Sequence, residues 1–299
     1  MSWDRTTKWN GSAWVCADDN AGGGISWLLT GNTGTEPNTN FLGTTDNVTL
    51  TLGVSNTVAY RIVPAVDGNG SFAPNIMGGS MSNTGALAAY GATIAGGASN
   101  TLSTSFSFIG GGYSNTIGLN PDHRYSSNYA VIGGGANNTT NNTYATVGGG
   151  ALNTASGVAS VVGGGGGYDD RYQDPYNTYD PMPNVASGDW STIGGGAMNT
   201  ASGDGAVIGG GGKLGGAPIG LWSLIGPNTA SGVLSVIAGG GHNSAQGDIS
   251  TVSGGSRNTA SGNRSVVAGG YDNTAGAFHD VIGGGYNNTT YVIDPGPPR

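Results

Sequence analysis

The hydrophobic pattern of this chain has a fixed period. An apolar residue just before a glycine cluster marks each repeat. The markers are Ile76, Ile94, Ile109, Ile132, Val147, Val162, Ile193, Ile208, Ile225, Ile237, Val252, Val267 and Ile282, and seven of the twelve intervals are 15 residues. The 31-residue interval from Val162 to Ile193 reads as two turns plus one residue, and Ile208 to Ile237, across Ile225, as two turns less one. Such a period is the signature of a solenoid, whose repeats bury their apolar faces only against one another. Two residues before the marker stands Ala or Ser, as at Ala145, Ser160, Ser191 and Ser235. The residue directly before it is most often Val or Thr, and this β-branched enrichment predicts a short strand. No apolar stripe of helical period competes with that reading. Pairs such as Val131-Ile132 and Val161-Val162 place apolar side chains on both faces of the strand. One face fills the inside of the coil. The other requires a cover, which further copies of the chain are expected to supply.

The rest of each repeat supplies the turns. Glycines after the marker allow a sharp change of direction. Asn six residues past the marker (Asn100, Asn115, Asn138, Asn153, Asn199 and onward) is suited to a left-handed corner and to a ladder of stacked amides. The Thr-Ala-Ser-Gly that follows reads as a second short strand and a second corner. About a dozen such turns at roughly 4.8 Å predict a thin rod on the order of 60 Å long.

Three segments frame the repeat. Residues 1–40 hold Trp3, Trp9, Trp14 and Trp27 and read as an attachment segment, with Asn10-Gly11 at the tip of a hairpin. Residues 41–72 read as a small β module in which Val48–Leu52 pairs with Val58–Val63 across Gly53–Asn56. The rod covers 73–293 and is interrupted near 118–128, 163–187 and 213–222, and a proline-rich tail at 294–299 stops the ladder. Insertions in a solenoid map to loops, often on the binding face.

Composition narrows the function. Gly is 61 of 299 residues with 9% charged, a disordered composition were it not periodic. Glycine does not recur at every third position, which excludes collagen. A net charge of −8 with nine Lys and Arg argues against nucleic acid as a partner. The single Cys16 excludes an intrachain disulfide. No apolar run is long enough for a membrane-spanning helix, and no secretory signal is evident at the start.

The unit V-x-G-G-x-x-N-T-A-S-G-x-x-S-V resembles the head repeats of trimeric autotransporter adhesins, the YadA-like head, and is one residue longer than that family's commonest unit. The resemblance covers the rod. Phe41–Ile62, with Asn75-Ile76-Met77-Gly78-Gly79, is similar to a module that precedes such repeats in bacterial and phage fibre proteins. The resemblance implies a left-handed parallel β-roll and a homotrimer. Without a signal peptide, coiled-coil stalk or membrane anchor in the sequence, the expected setting is a phage tail or contractile injection particle. A baseplate or other tail protein is the expected partner at the N-terminal segment, and a host surface glycan or protein is the expected receptor.

Candidate chemistry is sparse. The glycine clusters, such as Gly133–Gly135, lack the Lys-Ser/Thr of a phosphate loop and read as corners. His123, His242 and His279 have no metal-ligand spacing. No catalytic group, metal or cofactor is expected. The second interruption concentrates Tyr168, Asp169, Asp170, Tyr172, Asp174, Tyr176 and Tyr179, which with Trp190 and Trp222 form the expected receptor-binding set, because tyrosine and tryptophan offer flat apolar faces with a polar edge. Three other readings compete. A polysaccharide-degrading spike would pair these carboxylates with Asp189 or Asp204, at the fixed separation that glycoside hydrolysis requires. A cell-surface adhesin would share the repeat. A surface- or ice-binding solenoid would use the Thr seven residues past each marker.

Overall fold

The computed structural model describes residues 6–9, 14–17, 33–36, 40–85, 89–119, 128–169, 180–212 and 226–291. They fall in two compact units, Met1–Asn47 and Val48–Arg299. In the first, β1 (Thr6–Trp9) and β2 (Trp14–Ala17) pair antiparallel with Trp9 opposite Trp14. The Asn10-Gly11 pair expected at the tip lies outside the described residues.

The second unit opens with a hairpin, β3 (Leu50–Val54) and β4 (Thr57–Val63). The connection is shorter than the Gly53–Asn56 expected from the sequence. Only Ser55 and Asn56 turn, both left-handed at φ 49° and 58°, as a two-residue turn matched to strand twist requires. Gly53 stays in the strand, at a register shift from Leu52. β4 then pairs antiparallel with β5 (Asn75–Gly78), and β5 pairs parallel with Thr93–Ile94. The hairpin thereby covers what would be an open edge of the roll.

From β5 onward the chain is a parallel β-solenoid of about twelve turns, and no helix occurs among the described residues. Each turn carries two strands of two residues. One set joins a 14-stranded sheet that includes the hairpin, and the other a 12-stranded sheet. Alternation decides which side chain goes inside. Ile94, Ile109, Ile132, Val147, Val162 and their successors point inward from the larger sheet and are essentially fully buried. Opposite them Leu102 and Ile117 give way to Ala155, Ala186, Ala201 and further alanines, equally buried. A large aliphatic column against an alanine column keeps the lumen narrow.

Pairing revises three points of the repeat count. Ile76 is not the first inward marker. Met77 is aligned with Ile94 and buried, while Ile76 is aligned with Thr93. The interval from Val162 to Ile193 is one turn, not two, because Val161-Val162 pairs directly with Thr192-Ile193. Likewise Val207-Ile208 pairs directly with Val236-Ile237, so that interval too is one turn; Ile225 itself lies outside the described residues. Rung pairing constrains only the strand residues, so a segment leaving one corner is free to return to it at any length. At the first of these departures Tyr168–Asp169 pairs antiparallel with Asp180–Pro181, and Met182 N–H donates to the Gly167 carbonyl at 2.9 Å.

The glycine corner has two causes. Gly135, Gly150, Gly196 and Gly270 have φ between 82° and 91°, and a Cβ on each would overlap a backbone carbonyl of the next rung. At the adjacent Gly149 and Gly195 a Cβ would meet nothing within 4 Å. The Asn ladder is present, but Asn itself is not the left-handed residue. That conformation falls one position earlier, at Asn137, Leu152, Met198 and Arg257 among others. The buried Asn instead locks adjacent rungs. Asn115 N–H donates to Asn100 Oδ1 at 3.0 Å, and its Nδ2 donates to the carbonyls of Gly111 and Gly135, both at 2.9 Å. The same pattern recurs from Asn100 to Asn288. It satisfies backbone groups that the glycines leave uncovered.

Candidate functional site

The least self-sufficient part of the roll is its second corner, three residues before each marker. Phe106, Tyr129, Tyr144, Ala159, Trp190, Leu234, Ile249, Arg264 and His279 all stand there with φ between 52° and 66°. A left-handed conformation costs a side-chain-bearing residue roughly 1–2 kcal/mol. Glycine would remove that cost, as Gly91 and Gly205 do at the equivalent position. Yet most of these residues are large, apolar and exposed, with Trp190 at 64% and Leu234 at 56%.

Rung spacing stacks the column. Phe106 lies on Tyr129 and Tyr129 on Tyr144, with ring centroids 5.4 and 5.3 Å apart and planes within 11°. Tyr90 meets Phe106 edge-on at 5.2 Å. The stacked rings shield one another's faces and turn their edges outward. Two residues further along, the outward side chains of the larger sheet are Phe108, Val131, Val161, Val207, Val236, Val266 and Val281, with Thr93, Thr146, Thr192 and Thr251 between them, all half-buried or exposed. On most rungs corner and strand flank a fully buried Ala or Ser, so the two columns form one largely apolar band, interrupted by outward threonines and, near the C-terminal end, by Arg264 and His279.

The other sheet is different outside. There Thr154, Thr200, Thr229 and Thr259 are half-buried, and Ser187, Ser202, Ser231 and Ser261 are exposed beyond them. Hydroxyls face the solvent on that side.

Of the residues expected to bind a receptor, Trp190 is placed in the apolar band. Tyr168 and Asp169 are in the short antiparallel pair, whereas Asp170, Tyr172, Asp174, Tyr176, Tyr179 and Trp222 lie outside the described residues. Trp9 and Trp14 are backbone partners in the first hairpin; Trp3 and Trp27 lie outside the described residues. Asp189 and Asp204 have structural tasks. Asp189 Oδ1 accepts the Val158 N–H at 2.8 Å and Asp204 Oδ1 accepts the Asp189 N–H at 3.0 Å. His242 covers Gly226, and His279 stands in the corner column. Among the described residues no group of three His, Cys, Asp or Glu is arranged to hold a metal ion.

Sequence reasoning found the outward valines and missed the corner column. The signal was available: a bulky apolar residue recurs three before the marker at Phe106, Tyr129, Tyr144, Trp190, Leu234 and Ile249. In comparisons with known proteins the chain matches no family model and no curated sequence.

Proposed function

We propose that the chain is a non-catalytic structural protein, a homotrimeric fibre of a phage tail or contractile injection particle. The observation that carries this reading is the apolar band. Strained, exposed aromatic and aliphatic side chains run along one side of the roll, next to half-buried valines. Exposed apolar surface that is contiguous and long marks an interaction site. Sister chains offer the same band at the same spacing, so threefold assembly buries all of it at once. The likeness of the repeat to YadA-like heads favours three copies and a left-handed roll. The rod then holds its inserted loops away from the particle for contact with a host surface glycan, and the Trp-rich N-terminal segment docks to the rest of the tail.

Immunogold labelling tests the setting. Antibody raised against the roll is expected to decorate fibres of intact particles from the producing culture. Label confined to the cell envelope would overturn the particle reading in favour of a cell-surface adhesin.

A further inference from the structure

The hairpin at the N-terminal end of the roll extends the outward face of the larger sheet without belonging to the repeat. Leu50 is paired with Ile62, Ile62 with Ile76 and Ile76 with Thr93, and two residues along β3 Leu52 is paired with Tyr60. Paired residues share a face of a sheet, so Leu50, Leu52, Tyr60, Ile62 and Ile76 lie on the same side as the outward valines. Leu52 is 44% exposed and the other four are half-buried. All five are bulky and largely apolar, whereas the rungs beyond interleave valine with threonine. The one charge in β3, β4 and β5 belongs to Arg61. It is on the opposite face, paired with Met77, and its Nη2 donates to the Asn83 carbonyl at 3.0 Å.

The rungs have a weakness as an interface. Their outward strand residues recur at one strand spacing, about 4.8 Å, and a repeating surface is poor at fixing which rung meets which. Val131 offers a sister chain nearly what Val161 offers, so a slip along the rod costs the outward strand residues little. The hairpin occurs once, and β3 is the last strand of its sheet. A copy displaced along the rod would leave Leu50, Leu52 and Tyr60 uncovered.

We propose that the outward face of this hairpin is a contact between sister chains and sets the register in which three chains pair. Its occupant is the same face of another copy. The face is continuous with the band, and it has the uncharged, aromatic and aliphatic make-up of an interface core. With the hairpins matched, every later rung meets its equivalent. The inference rests on the trimer reading above and adds a surface outside the repeat. It also gives the hairpin a second task, since it aligns the chains as well as closing the sheet edge.

The test is photo-crosslinking of the full-length protein with p-benzoylphenylalanine in place of Leu52. Irradiation is expected to give covalent pairs and trios of chains, joined within residues 50–78 of a sister chain when the digest is read by mass spectrometry. Single chains alone, or joins to any other part of the sequence, overturn the proposal. Leu52→Asp gives a second measurement that needs no probe. It is expected to lose the trimer boundary in sedimentation, because a charge buried without a partner is costly. Thr51→Asp, on the opposite face of the same strand, is expected to sediment as the wild type does. A Leu52→Asp trimer as stable as the wild type, or equal loss in both variants, overturns the proposal. A wild-type trimer without crosslinks between hairpins removes this contact and leaves the fibre reading standing. A wild-type single chain removes both.

Discussion

The two sheets of the roll obey the same alternation, but valine predominates outside the larger sheet and threonine outside the smaller. Both send one side chain per strand into the lumen, where Ile237 meets the alanine column that holds Ala230 and Ala245. Outward, the larger sheet shows Val131, Val161, Val236 and Val266 interleaved with Thr146, Thr192 and Thr251, while the smaller shows Thr154, Thr200, Thr229 and Thr259 with Val185 among them. Burial inside a single chain explains the inward columns and the threonines. It leaves the outward valines, and the strained corner beside them, without a reason. The difference between the two faces is therefore information about other molecules, not about the fold of one.

The largest effect expected from breaking this contrast is on assembly. Val236→Asp puts an uncompensated charge into the band, and three such charges meet in a trimer. Leaving a charge buried and unpaired costs about 3–5 kcal/mol each, so the variant should sediment as monomers or precipitate. Thr229→Asp, on the same rung but the hydroxyl face, should leave the sedimentation profile unchanged. Within the lumen, Ile237→Ala should lower unfolding stability by about 2–5 kcal/mol through the cavity it leaves, measured by chemical denaturation. Ala230→Gly on the facing column removes a methyl group and should cost only about 0.5–1 kcal/mol.

Smaller effects fall on the polar columns. Asn243→Ala removes the Nδ2 that donates to the Gly239 and Gly255 carbonyls at 2.9 and 3.0 Å, and the Oδ1 that accepts the Asn258 N–H at 3.0 Å. Leaving such groups unpaired costs about 1–3 kcal/mol, and the melting temperature should fall accordingly. The smallest change has the opposite sign. The Ser250 hydroxyl is buried without a hydrogen-bond partner among the described residues, and Ala145 and Ala206 stand at the equivalent position. Ser250→Ala should leave stability unchanged or raise it by up to about 1 kcal/mol.

Much of this architecture was legible because the period is short and each residue type has one task. The marker, the glycine corner and the Asn ladder each announce a structural requirement; the described markers after Ile76 point inward, and the ladder is present although the left-handed conformation expected of its Asn falls one residue earlier. The turn count was harder. Ile225-Gly226 imitates a rung, and the two longest insertions bring their intervals close to whole multiples of the period. Rung pairing ignores what leaves from a corner, so arithmetic on the sequence could not separate an inserted loop from an extra turn. Ile76 misled for a related reason. At the end of a roll the inward residue is decided by pairing with β4 as well as with the next rung, and Met77 takes the lumen. The corner column was hidden by expectation, since a left-handed residue is sought among glycines and not at Phe106 or Trp190. Its identity was plain in the sequence, but its conformation was not.

The central claim is that the apolar band is covered by sister chains, and light scattering on the purified full-length protein tests it most directly. The account predicts a particle of three times the chain mass that stays intact on dilution until the chain unfolds. A stable, folded single chain, with Trp190, Leu234 and the outward valines in water, would contradict it.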